Sequence, residues 1–199
     1  MKLSQRFLLF SFYLFLLSAL PLHAQKADYL AAVARYKNVH AVTASALKTK
    51  HKAAVKKDEQ FAGTFTITPP NKVNISVNNG KDQLDMQGEN FTMTIGGKSH
   101  KTSSKTNPQF ATFQQVLENI ITGASNGVDI AQISGVTLEK KGTDIVLTIT
   151  PETGKSKKRM MFTSFVITMD AKTSEIKTLR MNEKGQNYTD YEFSDYTFK

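Results

Sequence analysis

Cysteine is absent from the 199-residue sequence, which excludes disulfide staples, thiolate zinc sites and thiol nucleophiles together. Tryptophan is absent too, while thirteen Phe and seven Met are present. Rings and flexible thioethers suit either an ordinary core or an adaptable greasy lining. Histidine is sparse: His40, His51 and His100 are scattered, without the close spacing of zinc or catalytic motifs. No Gly-x-Ser-x-Gly phrase marks a nucleophile, and no glycine-rich phosphate loop occurs, Gly96-Gly97 reading as a hairpin turn. The expectation is therefore a protein that is not an enzyme and holds neither metal nor cofactor. Nucleic-acid binding has the net charge on its side but no motif, and no such partner is expected.

Long apolar runs are also scarce. The one clear case, Phe7 to Leu20, follows Lys2 and Arg6 and precedes Pro21-Leu22-His23-Ala24. That order of basic start, short apolar stretch and small-residue end reads as a signal peptide over residues 1–24, cleaved before Gln25. The run is short for a membrane span; an uncleaved anchor is the alternative. No Cys follows it for acylation. The expectation is an exported, soluble periplasmic protein whose residues 25–199 form one domain. Removing residues 1–24 takes away two basic residues and no acidic one, lowering the formal charge from +9 to +7. Basic residues cluster in Lys48–Lys57 and Lys155–Arg159. Such runs suit an anionic membrane surface or an acidic partner, with solvated hairpin ends as the plainer reading.

The mature region is dominated by alternation. Phe61, Gly63, Phe65 and Ile67 share one parity, then Val73, Ile75 and Val77, then Leu84 and Met86, then Phe91, Met93 and Ile95. Pro69-Pro70-Asn71, Asn79-Gly80 and Gly88-Glu89-Asn90 interrupt them as turns. Lys98 to Ser104 is polar, a weak edge strand or loop. Strands resume at Val136, Asp144, Met161, Ile176 and Tyr188; in the third, Met161, Phe165, Ile167 and Met169 share one face and Met160, Phe162 and Val166 the other, so that strand reads as apolar on both sides. Short strands, tight turns and one apolar face each describe an antiparallel meander covered on one side.

Two helices interrupt this pattern. Asp28 to Asn38 is amphipathic, with Asp28 a candidate cap. Asn107 to Gly123 is the stronger signal: Asn107 can cap, Pro108 fits the first helical position, and Phe110, Phe113, Val116, Leu117, Ile120 and Ile121 recur at helical spacing. Ala124 to Gly135 is left open between a short helix and a strand. The fold expected is mainly β with α: a half-open, strongly curled antiparallel barrel of about eleven strands, its mouth covered by helices. A closed core with no void beneath the Phe110–Ile121 face would overturn any carrier reading.

The order of elements and several phrases resemble the LolA-like outer-membrane lipoprotein carrier family over roughly Tyr29 to Phe198. They are Phe61-Ala62-Gly63-Thr64-Phe65, Thr68-Pro69-Pro70-Asn71-Lys72-Val73, Asn107-Pro108, Val146-Leu147-Thr148-Ile149-Thr150-Pro151, Phe165-Val166-Ile167-Thr168-Met169-Asp170, Gly185 and Tyr191-Glu192-Phe193. The resemblance implies a helix-covered apolar cavity that shelters the acyl chains of lipoproteins, or a related lipid, and delivers them to the outer membrane. It also implies an inner-membrane donor, an outer-membrane acceptor, transient membrane contact and a monomer. On this reading the lipid-binding residues are Phe61, Phe65, Ile75, Val77, Met86, Met93, Phe110, Phe113, Leu117, Phe165 and Ile167. Pro69 stands where family members often carry an Arg that latches the covering helix. That helix is then expected to be held by apolar packing and to open more easily, its Phe-rich face half-exposed when the pocket is empty unless lipid or the first helix fills the gap. The alternative is an exported, non-catalytic binding or assembly protein that docks a partner through its sheet edge or basic loops.

Overall fold

The structure is a computed structural model describing residues 24–151 and 160–199; apart from Ala24 the expected signal peptide, and the whole Lys155–Arg159 run, lie outside them. Residues 24–33 form helix α1, which continues into a 3-10 turn at Ala34–Asn38. Six strands follow: β1 (Val42–His51), β2 (Glu59–Thr68), β3 (Lys72–Val77), β4 (Asp82–Gln87), β5 (Asn90–Ile95) and β6 (Lys98–Ser103). Helix α2 (Pro108–Ile121) and a 3-10 turn at Ile130–Gln132 lead to β7 (Val136–Lys141), β8 (Asp144–Ile149), β9 (Phe162–Asp170), β10 (Ile176–Glu183) and β11 (Tyr188–Phe198). The open question at Ala124–Gly135 is thus resolved as a short 3-10 turn. Asp28 lies inside α1 and pairs with Lys140 rather than capping.

All eleven strands belong to one antiparallel sheet in the order β6-β5-β4-β3-β2-β1-β11-β10-β9-β8-β7. Each strand pairs with its sequence neighbour, except at the centre, where β1 pairs with β11. β6 and β7 are the two outer edges and do not pair with each other, so the barrel stays half open. The chain passes from one edge to the other through α2. The connection therefore carries the helix across the mouth.

Ring contacts measure the curl. Phe110 of α2 stacks on Phe91 of β5 at 4.9 Å and meets Phe162 of β9 at 6.0 Å. Those strands are seven places apart in the order, which in a flat sheet would separate them by about 34 Å. Gly63 permits one close approach: a Cβ there would lie 2.0 Å from the Ser76 carbonyl oxygen of β3, so only glycine fits.

Two irregularities re-aim aromatic rings. Between β9 and β10, Asn182 pairs with Ser164 and Glu183 with Phe162, so Thr163 is skipped. Phe162 and Phe165, of opposite parity, thereby both turn inward and are buried. Met161, which alternation puts on the face of Phe165, Ile167 and Met169, is instead 52% exposed while those three are buried. In β11 the register shifts between the partners of Thr43 and Ser45, and Tyr196 joins Phe193 against Phe65.

Candidate functional site

The concave face of the sheet is apolar and α2 lies in it. Phe110, Phe113, Val116, Leu117, Ile120 and Ile121 are all buried. Phe113 stacks on Phe165 at 4.4 Å, and Phe91, Phe110, Phe162 and Phe165 complete one aromatic cluster. The Phe-rich face is thus packed, correcting the expectation that it stands half-exposed; five rings from the sheet and helix cover one another.

Apolar packing does not hold α2 alone. Gln109 Oε1 accepts hydrogen bonds from the backbone N–H groups of Met161 and Phe162, each at 3.2 Å, and so ties the first turn to the start of β9. Asn107 makes no side-chain cap bond to the helix backbone; its Oδ1 accepts from Gln109 Nε2 at 3.0 Å. Near the other end, Asn119 is fully buried and accepts from the Tyr29 hydroxyl at 2.5 Å. Its Nδ2 donates to Asn126 Oδ1 and to the Val128 carbonyl. Burial raises the Tyr29 hydroxyl far above the usual phenol range, so it stays a protonated donor. Gly123 follows with φ +61°, and a Cβ there would collide with Lys37 and crowd the Val33 carbonyl, so helices α1 and α2 approach closely at this point.

Beneath α2 lies a cavity of about 20 Å³. Its lining is apolar throughout: Phe65, Val73, Ile75, Leu84 and Met86 from β2–β4, Phe113 and Leu117 from α2, and Ile167, Ile176, Leu179 and Phe193 from β9–β11. This volume holds one or two water-sized spheres and no acyl chain. Any larger guest requires α2 or its Phe and Met neighbours to move.

A second cavity, of about 40 Å³, lies among β1, β4, β5 and β9–β11 and is lined by both polar and apolar groups. Its polar lining residues are Lys48, Lys50, Gln83, Thr94, Glu183 and Thr189; Met93, Ile95, Met161, Phe162, Met181 and Tyr191 complete it. Lys48 is buried on the concave face and donates to Asp82 Oδ2 at 2.7 Å. Asp82 Oδ1 accepts from the Gly96 N–H at 2.7 Å. Burial pushes the Asp82 carboxyl up, but the Lys48 hydrogen bond, the Gly96 N–H and the charges of Lys48 and Lys50 outweigh it and hold it below the usual carboxylate range.

Of the eleven residues expected to bind lipid, Phe65, Ile75, Met86, Phe113, Leu117 and Ile167 line the apolar cavity. Phe110 and Phe165 belong to the aromatic cluster beside it. Val77 is buried in the core, Met93 lines the second cavity, and Phe61 lies half-buried with the Lys48 ammonium 5.9 Å from its ring centre. The expected set missed Val73, Leu84, Ile176, Leu179 and Phe193 as lining residues; four of them share the inward parity of their strands, while Ile176 turns inward with Leu179 across the register shift between Ile176 and Thr178. It also missed Lys48 and Asp82.

No family model matches the chain, and no curated sequence matches it. Among solved structures, the chain is similar to a LolA superfamily protein from Nitrosomonas europaea, with 8% identity, TM-score 0.36, and coverage of 85% of this chain and 92% of that one. It is similar to a Vibrio parahaemolyticus domain described as a putative outer membrane lipoprotein-sorting protein, at 10% identity, TM-score 0.44, and 87% and 92% coverage. It is also similar to the Mycobacterium tuberculosis lipoprotein LppX, at 14% identity, TM-score 0.37, and 87% and 94% coverage.

Proposed function

We propose that this protein is an exported carrier that shelters the acyl chains of a lipoprotein or related lipid and passes them toward the outer membrane. One observation carries the reading: an undivided apolar cavity between the concave sheet and a single covering helix, walled from both halves of the sheet with no polar side chain. An acyl chain gains about 0.8 kcal/mol per methylene buried, so a binding face of this kind needs no reactive group to hold one. The cavity is small because α2 occupies the trough. Loading therefore displaces α2 and exchanges its contacts for those of the acyl chain. Six of the expected residues, Phe65, Ile75, Met86, Phe113, Leu117 and Ile167, would meet the chain first. Nothing in this cycle is a chemical step; release needs a competing acceptor.

Native mass spectrometry of protein purified from the periplasm tests this. The expected result is a co-purified acylated species. Hydrogen exchange in α2 should change when that species is stripped. Repeated recovery of empty protein that takes up no acyl lipid would overturn the carrier reading. It would favour the second reading, a non-catalytic binding or assembly protein. The closely packed trough and the exposed edge strand β6, with Lys98, His100 and Lys101, are the observations on that side.

A further inference from the structure

The second cavity has a composition that an acyl chain alone does not call for. Lys48 is 95% buried, yet among the described residues Asp82 is the one hydrogen-bond acceptor for its three N–H donors. Lys50, half-buried on the same face of β1, makes no ion pair among the described residues. Burying an ammonium without its full set of acceptors is costly, and an anion entering this cavity would remove that cost. Asp82 is already engaged by Lys48 and by the Gly96 N–H. Glu183, on β10, also lines the cavity and is the one acidic lining residue among the described residues.

The cavity also adjoins the apolar one. On β10, Leu179 lines the apolar cavity and Met181 the second; on β11, Phe193 and Tyr191 do the same. These are successive inward positions, about 7 Å apart along a strand. The rim is greasy and open: Met161 and Ile95 are 52% and 42% exposed. A molecule with its tail under α2 would thus place its other end beside Lys48 and Lys50.

We propose that this second cavity is a head-group site for an anionic single-chain amphiphile, with Lys50 and the free donors of Lys48 holding a phosphate or carboxylate whose tail enters the apolar cavity. This rests on the carrier reading and adds to it a selection by charge. Glu183 opposes the anion and sets how strongly the site prefers it.

Calorimetric titration of the purified protein with oleate, oleoyl lysophosphatidate, monooleoylglycerol and inorganic phosphate tests the assignment. The tail is the same in the first three. The anionic lipids should bind about tenfold more tightly than the neutral one, a charge-assisted contact's worth. Lys50→Gln, at a half-exposed position that leaves the Lys48–Asp82 pair intact, should erase that preference without weakening monooleoylglycerol. Glu183→Gln should widen it. Comparing oleate with lysophosphatidate separates a carboxylate from a phosphate site. Equal binding of all three lipids, or a preference untouched by Lys50→Gln, overturns the head-group site and leaves the carrier reading standing. Phosphate binding that depends on Lys50 while the lipids show no preference overturns it too, since the site would then be independent of a tail. Failure of every lipid to bind removes both.

Discussion

Asn119 shows how much one buried amide fixes. It is enclosed completely, and its oxygen and both N–H donors are satisfied by α1 and by the segment after α2. Asn119→Ala would leave the buried Tyr29 hydroxyl without a partner and release the bonds to Asn126 and Val128, at about 3 kcal/mol. Urea unfolding should show this as a lower midpoint, and Tyr29→Phe, which orphans one atom of Asn119, should cost less. Asp170 sets a different dependence. Its carboxylate accepts from the N–H groups of Thr173 and Lys172 and pairs with Lys177, with the Thr173 N–H the largest influence that holds its pKa at about 2 against 3.8. A depressed folded-state pKa contributes stability that is complete above the unfolded value and is lost as pH falls through the folded one. Stability should therefore drop between about pH 4 and pH 2. Asp170→Asn should flatten that part of the curve in denaturant titrations at successive pH values.

At the scale of elements, α2 is held at two points by side-chain amides, Gln109 at its first turn and Asn119 near its last. Gln109→Ala should free the first turn while the Asn119 end stays anchored. Hydrogen exchange should then quicken over residues 110–116 more than over 118–121, and uniform quickening along the helix would contradict separate anchors. Most of this layer was legible in the sequence. Alternation located ten of the eleven strands, marked the eleventh as edge or loop, and helical spacing located α2. Local irregularity was not legible: the skipped Thr163 reverses the parity at Met161 and Phe162, and alternation has no term for an extra residue. The Lys48–Asp82 pair was missed for another reason. A lysine in a strand reads as surface, yet Lys48 continues the inward parity of Val42, Ala44 and Ala46, and Asp82 that of Leu84 and Met86. Two opposite charges extending apolar parities were the available signal.

At the scale of the whole molecule, one end of the half-barrel gathers greasy tips and lysines. The antiparallel order brings the β1–β2, β3–β4, β5–β6 and β10–β11 turns together there; Ala53 N bonds Asn187 Oδ1, and Gly97 N bonds the Lys81 carbonyl. Val55, Ile95 and Met161 are exposed there among Lys52, Lys56, Lys57 and Lys98. If this end meets the membrane, binding to anionic vesicles should fall about tenfold or more between low and high salt. Val55→Ser should weaken it further in flotation assays; salt-independent binding would place the contact elsewhere. The β1–β11 pairing has a last consequence, for how the chain reaches this shape. All other strand pairs join sequence neighbours, whereas this one joins Val42 to Phe198 and His51 to Tyr188. Two locally wound sheets, β1–β6 and β7–β11, can form early, but closing the seam between them carries nearly the whole loop entropy of the chain. Until it closes, β1 and β11 are both naked edges. Phe193→Ala on the seam should therefore speed unfolding while barely slowing folding, the kinetic mark of a contact made after the transition state.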